Sequence, residues 1–144
     1  MSRYAAAHAT LKGPGDARPT ALQIVEDEGL TGKLTDKVFL VTGVSSGIGI
    51  ETLRAMYATG AHVIGTVRNM DKGKAVVEEI ERNTPSKGKI TLVLMDNASL
   101  ESVRKAAAEI KQLTDKLNVA IFNAGYIPSL PPFPSQKPIP SILL

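Results

Sequence analysis

The chain has 144 residues, of which 43% are hydrophobic and 22% charged, and its formal net charge is only +3. This length allows one domain with a buried core, and the composition is that of a globular protein rather than a disordered or fibrous one. Aromatic residues make up 4% and the basic residues are dispersed, which argues against a nucleic-acid surface. The absence of cysteine excludes disulfides and thiolate metal sites, and His8 and His62 have no second metal ligand at helical spacing.

The N-terminal residues 1–34 are predicted to be an extension that precedes the folded domain. They contain a breaker cluster, GPGDARP, and then a short helix from Thr20 to Glu28 with Gly29 just past its end. The opening MSRYAAAHATLK faintly resembles a mitochondrial presequence, but a disordered leader is the preferred interpretation. Because no apolar stretch approaches membrane-spanning length, no membrane partner is expected and a cytoplasmic location is the default.

From residue 37 onward, strand and helix patterns alternate. Continuous apolar and β-branched runs predict four strands, at residues 37–43, 61–67, 89–95 and 117–125. Helical spacing fills the intervals: Ile50, Leu53 and Met56 in the first, Val76, Val77 and Ile80 in the second, and Leu100, Val103, Ala107, Ile110 and Leu113 in the third. Ser99 is placed to cap the third helix. On its solvent face Glu101 and Lys105 form a favourable pair.

This order predicts an α/β fold, a partial doubly wound Rossmann-type parallel sheet with the connectivity β-α-β-α-β-α-β over residues 35–125. Right-handed crossovers would arrange its strands in the order 3-2-1-4, with the switch point between strands 1 and 4. Ligands bind such sheets at the carboxyl ends of the strands. The sequences GVSSGIG and NAG both fall there, and so two separate motifs are expected to converge on one place.

The glycines of the first motif meet the physical demands of a phosphate-binding loop, since the loop follows a strand and opens a helix. Gly43 can adopt the turn conformation that leaves the strand, Gly47 lets a diphosphate approach the backbone, and Gly49 lets the helix pack closely. The first amides of the helix then face an anion, aided by the helix dipole. Ser45 and Ser46 add hydroxyl donors. The alternative is a glycine-rich turn that serves only to reverse the chain.

The spacing TGxxxGxG at residues 42–49 resembles the cofactor loop of the short-chain dehydrogenase/reductase family. Two further family motifs follow in order: NNAG, present as FNAG at residues 122–125, and an acid after the third strand, Asp96. The sequence VRNMDKG after the second strand resembles that of the family branch with retinol-dehydrogenase-like and WW-domain-oxidoreductase-like members. Phe122 departs from the family pattern where the first asparagine stands, and Asn97 stands where a hydrophobic residue is common.

The resemblance implies a role for each matching residue. The pyrophosphate and the adenosine ribose would be cradled by Gly43, Ser45, Ser46, Gly47 and Ile48, and Gly49 completes the motif. Asp96 would accept a hydrogen bond from the adenine amino group, and the backbone of Asn97 would add contacts. Asn123, Ala124 and Gly125 would line the floor near the riboses and tie strand 4 to strand 1. For Asp96, a helix cap or turn acid is the alternative.

Charge at the end of the second strand bears on which dinucleotide is bound. Enzymes that use NAD place an acid there to bind the ribose 2′-hydroxyl, but the corresponding residues are Thr66 and Val67. Arg68 follows at once and suits a bidentate grip on a 2′-phosphate. NADP is therefore predicted over NAD, with a solvated loop cation as the alternative for Arg68. Asp71 is a competing acid but is better explained as a residue of the helix start.

Members of the family transfer hydride between the nicotinamide and a carbonyl or alcohol carbon, using a tyrosine whose pKa is lowered by a lysine four residues later. None of Tyr4, Tyr57 and Tyr126 has that lysine. Residues 126–144 hold six of the nine prolines, so a disordered, extended tail is expected there rather than a scaffold for catalysis.

Two interpretations stay open. In the first, the chain is an oxidoreductase of this family without its catalytic half. In the second, it is a non-catalytic dinucleotide-binding or protein-interaction module. Because the fourth strand would leave an apolar edge unpaired, self-association through that edge is expected, together with weak cofactor binding mainly through the adenosine half.

Overall fold

The computed structural model describes residues 3–125, so the proline-rich segment 126–144 lies outside the described residues. Four parallel strands form one sheet in the order β3-β2-β1-β4, which confirms the predicted α/β class and strand order. The strands are β1 (Val38–Thr42), β2 (His62–Val67), β3 (Lys89–Leu94) and β4 (Val119–Ile121). The helices are α1 (Ala21–Asp27), α2 (Ile48–Ala58), α3 (Met70–Asn83) and α4 (Leu100–Leu113), and a short 3-10 turn spans Ala6–His8.

The central strands β1 and β2 are buried on both faces, as their continuous apolar sequences predict. Their register pairs Thr42 with Thr66, while Val67 of β2 pairs with Leu94 of β3 and Val41 of β1 pairs with Ile121 of β4. The carboxyl ends of all four strands therefore reach the same edge of the sheet.

The two faces of the sheet carry separate cores. On one face, α2 and α3 contribute Leu53, Tyr57 and Ile80 to a cluster with Val41 and Val63. On the other face, α4 contributes Ala106 to a smaller cluster with three strand residues, Val38, Ile64 and Val93. Two helices thus cover one face and a single helix covers the other.

The packing face of α4 differs from the predicted stripe. Ala106 is buried and Ala107 is exposed, while Leu100 is 60% exposed. The apolar stripe of this helix is wider than the part that the sheet buries. The position of the sheet therefore decides which of the two adjacent alanines is buried, and the helix sequence does not. The predicted pair of Glu101 and Lys105 is confirmed, with 2.7 Å between Oε1 and Nζ.

The helix α1 is not detached from the domain core. Val25 is buried against Ala55 and Ala58 of α2. The following turn adds two backbone bonds, since the amide of Gly32 donates to the Ala58 carbonyl and that of Leu34 to the Thr59 carbonyl. The boundary at residue 34 stays a prediction, but the helix before it packs on the sheet's own helical layer.

His62, at the start of β2, makes the stability of the fold sensitive to pH. Its Nε2 lies 2.9 Å from Thr91 Oγ1, and partial burial together with the neighbouring Lys89 lowers its pKa from the usual 6.5. A histidine whose pKa is depressed on folding binds its proton more tightly in the unfolded chain. Stability should therefore be lost as pH falls through about 6.5 toward the lower folded value.

We expect His62→Gln, which retains a hydrogen-bonding group near Thr91, to remove this loss. Urea unfolding of both proteins at pH 7.5 and pH 5.5 measures it: wild type should lose more stability than the variant on acidification. His8→Gln, at an exposed position, is the matched control and should behave as wild type. An equal acid sensitivity of wild type and His62→Gln would contradict the assignment.

Candidate functional site

The loops after the four strands meet at the carboxyl edge of the sheet, and the turn after β1 lies at its centre. Gly43 has a φ of +72°, a conformation that favours glycine. Its amide donates to the Thr66 carbonyl at 3.0 Å, and the next amide, that of Val44, donates to the same carbonyl at 3.1 Å. The turn is thereby fixed to the end of β2.

Two glycines let this turn, α2 and the loop after β4 pack tightly together. A Cβ on Gly43 would lie 3.0 Å from the Cβ of Ala124, and a Cβ on Gly49 would collide with the Gly43 carbonyl oxygen and crowd Asn123 Nδ2. Gly49 is buried in the first turn of α2. The start of α2 is therefore seated directly on the glycine turn, closer than any other residue allows.

The N-terminus of α2 is left without a side-chain cap. The helices α1, α3 and α4 begin with Thr20, Asn69 and Ser99, whose side chains each accept a hydrogen bond from a first-turn amide. By contrast α2 begins after Gly47, which has a φ of +58° and no capping side chain. In the part of the chain from residue 3 to 125, nothing lies within 4 Å of a Cβ placed there, so these residues leave the space beside the amides open. Such amides, at the positive end of the helix dipole, suit an anion.

The side chains around this opening differ in exposure. Ser45 is half-buried, Ser46 is exposed, and Ile48 is 80% exposed at the first helical position. The two hydroxyls are within the same loop as the open amides, which makes them available as donors to a bound group. Ile48 has no core role, since its side chain lies outside the packed layer.

The loop after β4 is held to β1 by side-chain bonds. Asn123 Nδ2 donates to the carbonyls of Thr42 at 3.1 Å and Gly43 at 3.3 Å. The Ala124 amide donates to Thr42 Oγ1 at 3.0 Å. Gly125 follows and is exposed. The asparagine amide group thus joins the second motif to the first.

The remaining predicted site residues lie in the loops after β2 and β3. Arg68 is exposed directly after β2, and the structure gives it no ion pair with another residue between 3 and 125. Asp96 and Asn97 are exposed after β3. The Asp96 carboxylate accepts a hydrogen bond from the Ala98 amide at 3.0 Å, so this acid also stabilises the turn that leads into α4.

The structure brings the glycine turn, the start of α2 and the Asn123 loop into direct contact, whereas Arg68 and Asp96 stand farther along the same edge. Within residues 3–125 no group of three or more histidines, aspartates or glutamates is placed to hold a metal ion. The same part of the chain contains no helix long and apolar enough to cross a membrane. Two surface depressions, of about 480 and 550 Å³, lie on the N-terminal segment and include none of these loops.

Sequence reasoning gave no role to four residues that shape this site. Thr42 holds the Ala124 amide, and the Thr66 carbonyl receives two amides of the glycine turn. Val44 is fully buried although it lies in a loop, and its side chain packs over Gly65 in the middle of β2. The available signal was the glycine inside a strand, which often marks a close approach of another group.

Comparison with known proteins places these features in one family. The family model described as short chain dehydrogenase matches residues 37–138. Short-chain dehydrogenase/reductase prx1 of Penicillium rubens is 47% identical over 123 residues, which cover 85% of this chain and 35% of that protein. The WW domain-containing oxidoreductase of Gallus gallus is 36% identical over 110 residues, covering 76% of this chain and 25% of that protein. The chain thus spans about a third of the length of the first of these relatives.

Solved structures give the same result. A metagenomic short-chain oxidoreductase in complex with NADP is 29% identical and superimposes with a TM-score of 0.57, covering 67% of this chain and 41% of that one. An oxidoreductase from Haemophilus influenza with bound NAD, 19% identical, has a TM-score of 0.55 over 65% of this chain and 32% of that one, and so shares the fold. With the family model matching well over half of its residues, the chain belongs to the short-chain dehydrogenase family.

Proposed function

We propose that this chain binds NADP at the carboxyl edge of its sheet, as the cofactor-binding part of an oxidoreductase that moves hydride between nicotinamide and a carbonyl or alcohol carbon. The observation that carries the proposal is the joint between the two motifs. Asn123 and Ala124 are bonded to the turn that presents the uncapped start of α2, so one rigid surface is formed from both loops. Membership of the short-chain dehydrogenase family supports it.

The residues present fit a dinucleotide. The open amides at Gly47 and Ile48 and the hydroxyls of Ser45 and Ser46 offer donors to a pyrophosphate, and the bare Gly47 Cα lets it approach the backbone. The helix amides are held in position for the anion, because Gly49 seats the first turn of α2 against the Gly43 carbonyl and Asn123. When bound, the cofactor supplies the nicotinamide that carries hydride.

The other predicted residues are assigned to the two ends of the same ligand. We assign Asp96 and the backbone of Asn97 to the adenine, and Asn123, Ala124 and Gly125 to the floor beneath the riboses. The Asp96 carboxylate uses one oxygen for the Ala98 amide, which holds it at the loop while the other oxygen can accept a bond. The assignment is supported by exposure, since Asp96, Asn97, Ala124 and Gly125 are all exposed in the loops that follow their strands.

For the choice of dinucleotide, Arg68 is the deciding residue. It is exposed at the end of β2, and neither Thr66 nor Val67 supplies the acid that would bind a free ribose 2′-hydroxyl. A guanidinium can grip the 2′-phosphate through two hydrogen bonds. A structural relative bound to NADP supports this choice, and the one bound to NAD shows that the fold itself accepts either.

The second candidate function is cofactor binding without turnover. It is favoured by the sequence itself, because none of the three tyrosines is followed four residues later by a lysine. A lysine at that position is the cation that lets a tyrosinate form at moderate pH. By this proposal the 144-residue chain binds NADP but does not oxidise or reduce a substrate by itself.

We also propose a cytoplasmic location, which imaging of a fluorescent fusion tests.

Isothermal titration of the 144-residue chain with NADP, NAD and 2′,5′-ADP tests binding. We expect NADP to bind most tightly. The ligand 2′,5′-ADP should bind more weakly because it lacks the bridging diphosphate assigned to the glycine loop, and NAD because it lacks the 2′-phosphate assigned to Arg68. Turnover assays with a panel of alcohols and ketones should give no NADPH production or consumption. Absence of binding by all three ligands would refute the proposal, and turnover would refute the binding-only function.

We also propose that the chain associates with a second copy through β4. In residues 3–125, β4 pairs with β1 and with no other strand, and Val119 and Phe122 are 42% and 82% exposed. An apolar edge with unpaired amides is a template for pairing with another strand. The opposite edge, β3, starts with the exposed Lys89, a charge that discourages such pairing.

Val119→Lys should therefore shift the chain toward monomer. Sedimentation velocity across a concentration series measures the effect: wild type is expected to show larger species as concentration rises, and the variant should show about tenfold weaker association. Leu94→Lys, an exposed apolar position on the other edge strand, is the control and should associate as wild type. A wild-type chain that stays monomeric at every concentration would contradict the proposal.

A further inference from the structure

Val44 has an unusual environment for a loop residue. It is the first residue after the glycine turn, yet it is 0% exposed and belongs to the core cluster between the sheet and the helices α2 and α3. Its side chain lies over the middle of β2, where Cγ2 is 2.7 Å from the position that a Cβ on Gly65 would take. Real Cβ atoms do not approach other atoms so closely, and so the valine occupies space that only a glycine leaves free.

The same loop is held to β2 by its backbone at the neighbouring residue. The amides of Gly43 and Val44 both donate to the carbonyl of Thr66, which follows Gly65 in the strand. The Thr66 hydroxyl is also 3.4 Å from the Gly43 amide. The loop is therefore fixed at two adjacent points, by hydrogen bonds at Thr66 and by side-chain packing at Gly65.

Movement of Val44 has direct consequences for the ligand-facing residues. Ser45, Ser46 and Gly47 follow it without interruption before α2 begins. Valine has little freedom at χ1, so a side chain forced off Gly65 transfers its displacement to the backbone. Displacement of that backbone moves the amides and hydroxyls that face an anion.

We propose that Val44 and Gly65 form a size-matched pair that positions the phosphate-binding loop on β2. This positioning role rests on the proposed NADP site, and it assigns Gly65, a residue outside both motifs, to the affinity for the cofactor. The pair acts through the position of the loop backbone, since Val44 is buried and does not face the ligand.

The test is a double-mutant cycle of Gly65→Ala, Val44→Ala and the double variant, with NADP affinity and thermal unfolding measured for each. Gly65→Ala should raise the Kd for NADP about tenfold, because overpacking displaces the loop. The double variant should recover most of that affinity, because the smaller alanine side chain at position 44 makes room for the new methyl group. In thermal unfolding, the loss in the double variant should be clearly smaller than the sum of the single losses.

Gly73→Ala is the matched control. Gly73 is also a buried glycine against the sheet, where a Cβ would lie 2.9 Å from Leu92 Cδ1 and 3.0 Å from Val67 Cγ1, but Val44 is not among those neighbours. Whatever loss of melting temperature or of NADP affinity this variant causes, Val44→Ala should not rescue it.

The outcomes separate this inference from the function on which it rests. If wild type binds NADP and Gly65→Ala binds equally well, or if Val44→Ala gives no rescue, the positioning role is wrong while the site stands. If wild type binds no dinucleotide, the proposed function and the positioning role both fall. A rescue of melting temperature without rescue of affinity also overturns the inference, because the pair would then serve packing alone.

Discussion

Gly49→Ala is expected to destabilise the domain by about 3 kcal/mol and to abolish cofactor binding, because the packed backbone leaves no room for the added methyl group. A Cβ at this position collides with the backbone carbonyl of Gly43, and it also lies 2.8 Å from Asn123 Nδ2. Neither neighbour can move away easily. The Gly43 carbonyl belongs to the turn that is bonded to β2, and the side-chain amide of Asn123 joins the loop after β4 to β1. Urea unfolding and NADP titration of the variant measure the two losses.

Gly125→Ala is the control for this experiment. Among residues 3–125, its Cβ would meet only the Asn123 carbonyl oxygen, at 3.9 Å, and its φ is not positive. Its free energy of unfolding should match that of wild type, although binding can change because Gly125 is assigned to the floor of the site. A stable, ligand-binding Gly49→Ala protein would show that α2 can move away from the turn and that the close approach is not needed.

The sequence was sufficient for the topology because the relevant signals are local and repeated. Each predicted strand is a continuous apolar run, and the residues between the runs have helical periodicity. The cap predicted at Ser99 is confirmed by the structure. Alternation and crossover handedness then leave few arrangements, and the observed order is the predicted one. The roles of Gly43 in the turn and of Gly49 in the close packing of α2 could be predicted too, since both follow from the spacing of the motif.

Sequence did not determine how side chains from distant segments share space. Whether Ala106 or Ala107 faces the sheet depends on the angle at which α4 crosses it, and both residues are the same type. The burial of Val44 depends on Gly65, more than twenty residues later, and neither residue reveals the contact alone. Predictions from local pattern therefore describe the loop's backbone, while the support beneath the loop had to be read from the structure.

The site combines two levels of rigidity. The turn, the start of α2 and the Asn123 loop are bonded or packed to one another, so the part assigned to the pyrophosphate is held from both sides. Arg68 and Asn97, assigned to the adenosine end, are exposed loop residues. Affinity for the shared pyrophosphate is accordingly expected from the rigid part, and discrimination between dinucleotides from the exposed part.

Arg68→Gln should convert a preference for NADP into near equality between NADP and NAD. A hydrogen bond between charged partners contributes about 1.5–3 kcal/mol, so losing the guanidinium is expected to weaken NADP binding about 10- to 100-fold. NAD lacks the 2′-phosphate, and its affinity should change by less than about twofold because glutamine removes no contact to the shared part of the ligand. Parallel titrations with both dinucleotides give the ratio directly.

Salt dependence and a second arginine make this prediction specific. Since Arg68 is exposed, salt should screen its attraction for a phosphate. Wild type should therefore lose more NADP affinity than the variant between 50 and 500 mM salt, a range over which the Debye length falls by about a factor of three.

Arg82→Gln removes an equal charge from the exposed last turn of α3 and should leave the NADP-to-NAD ratio unchanged. An equal loss for both dinucleotides in Arg68→Gln would place the guanidinium on their common pyrophosphate. No change for either would leave Arg68 a solvated loop cation and remove the physical argument for NADP over NAD.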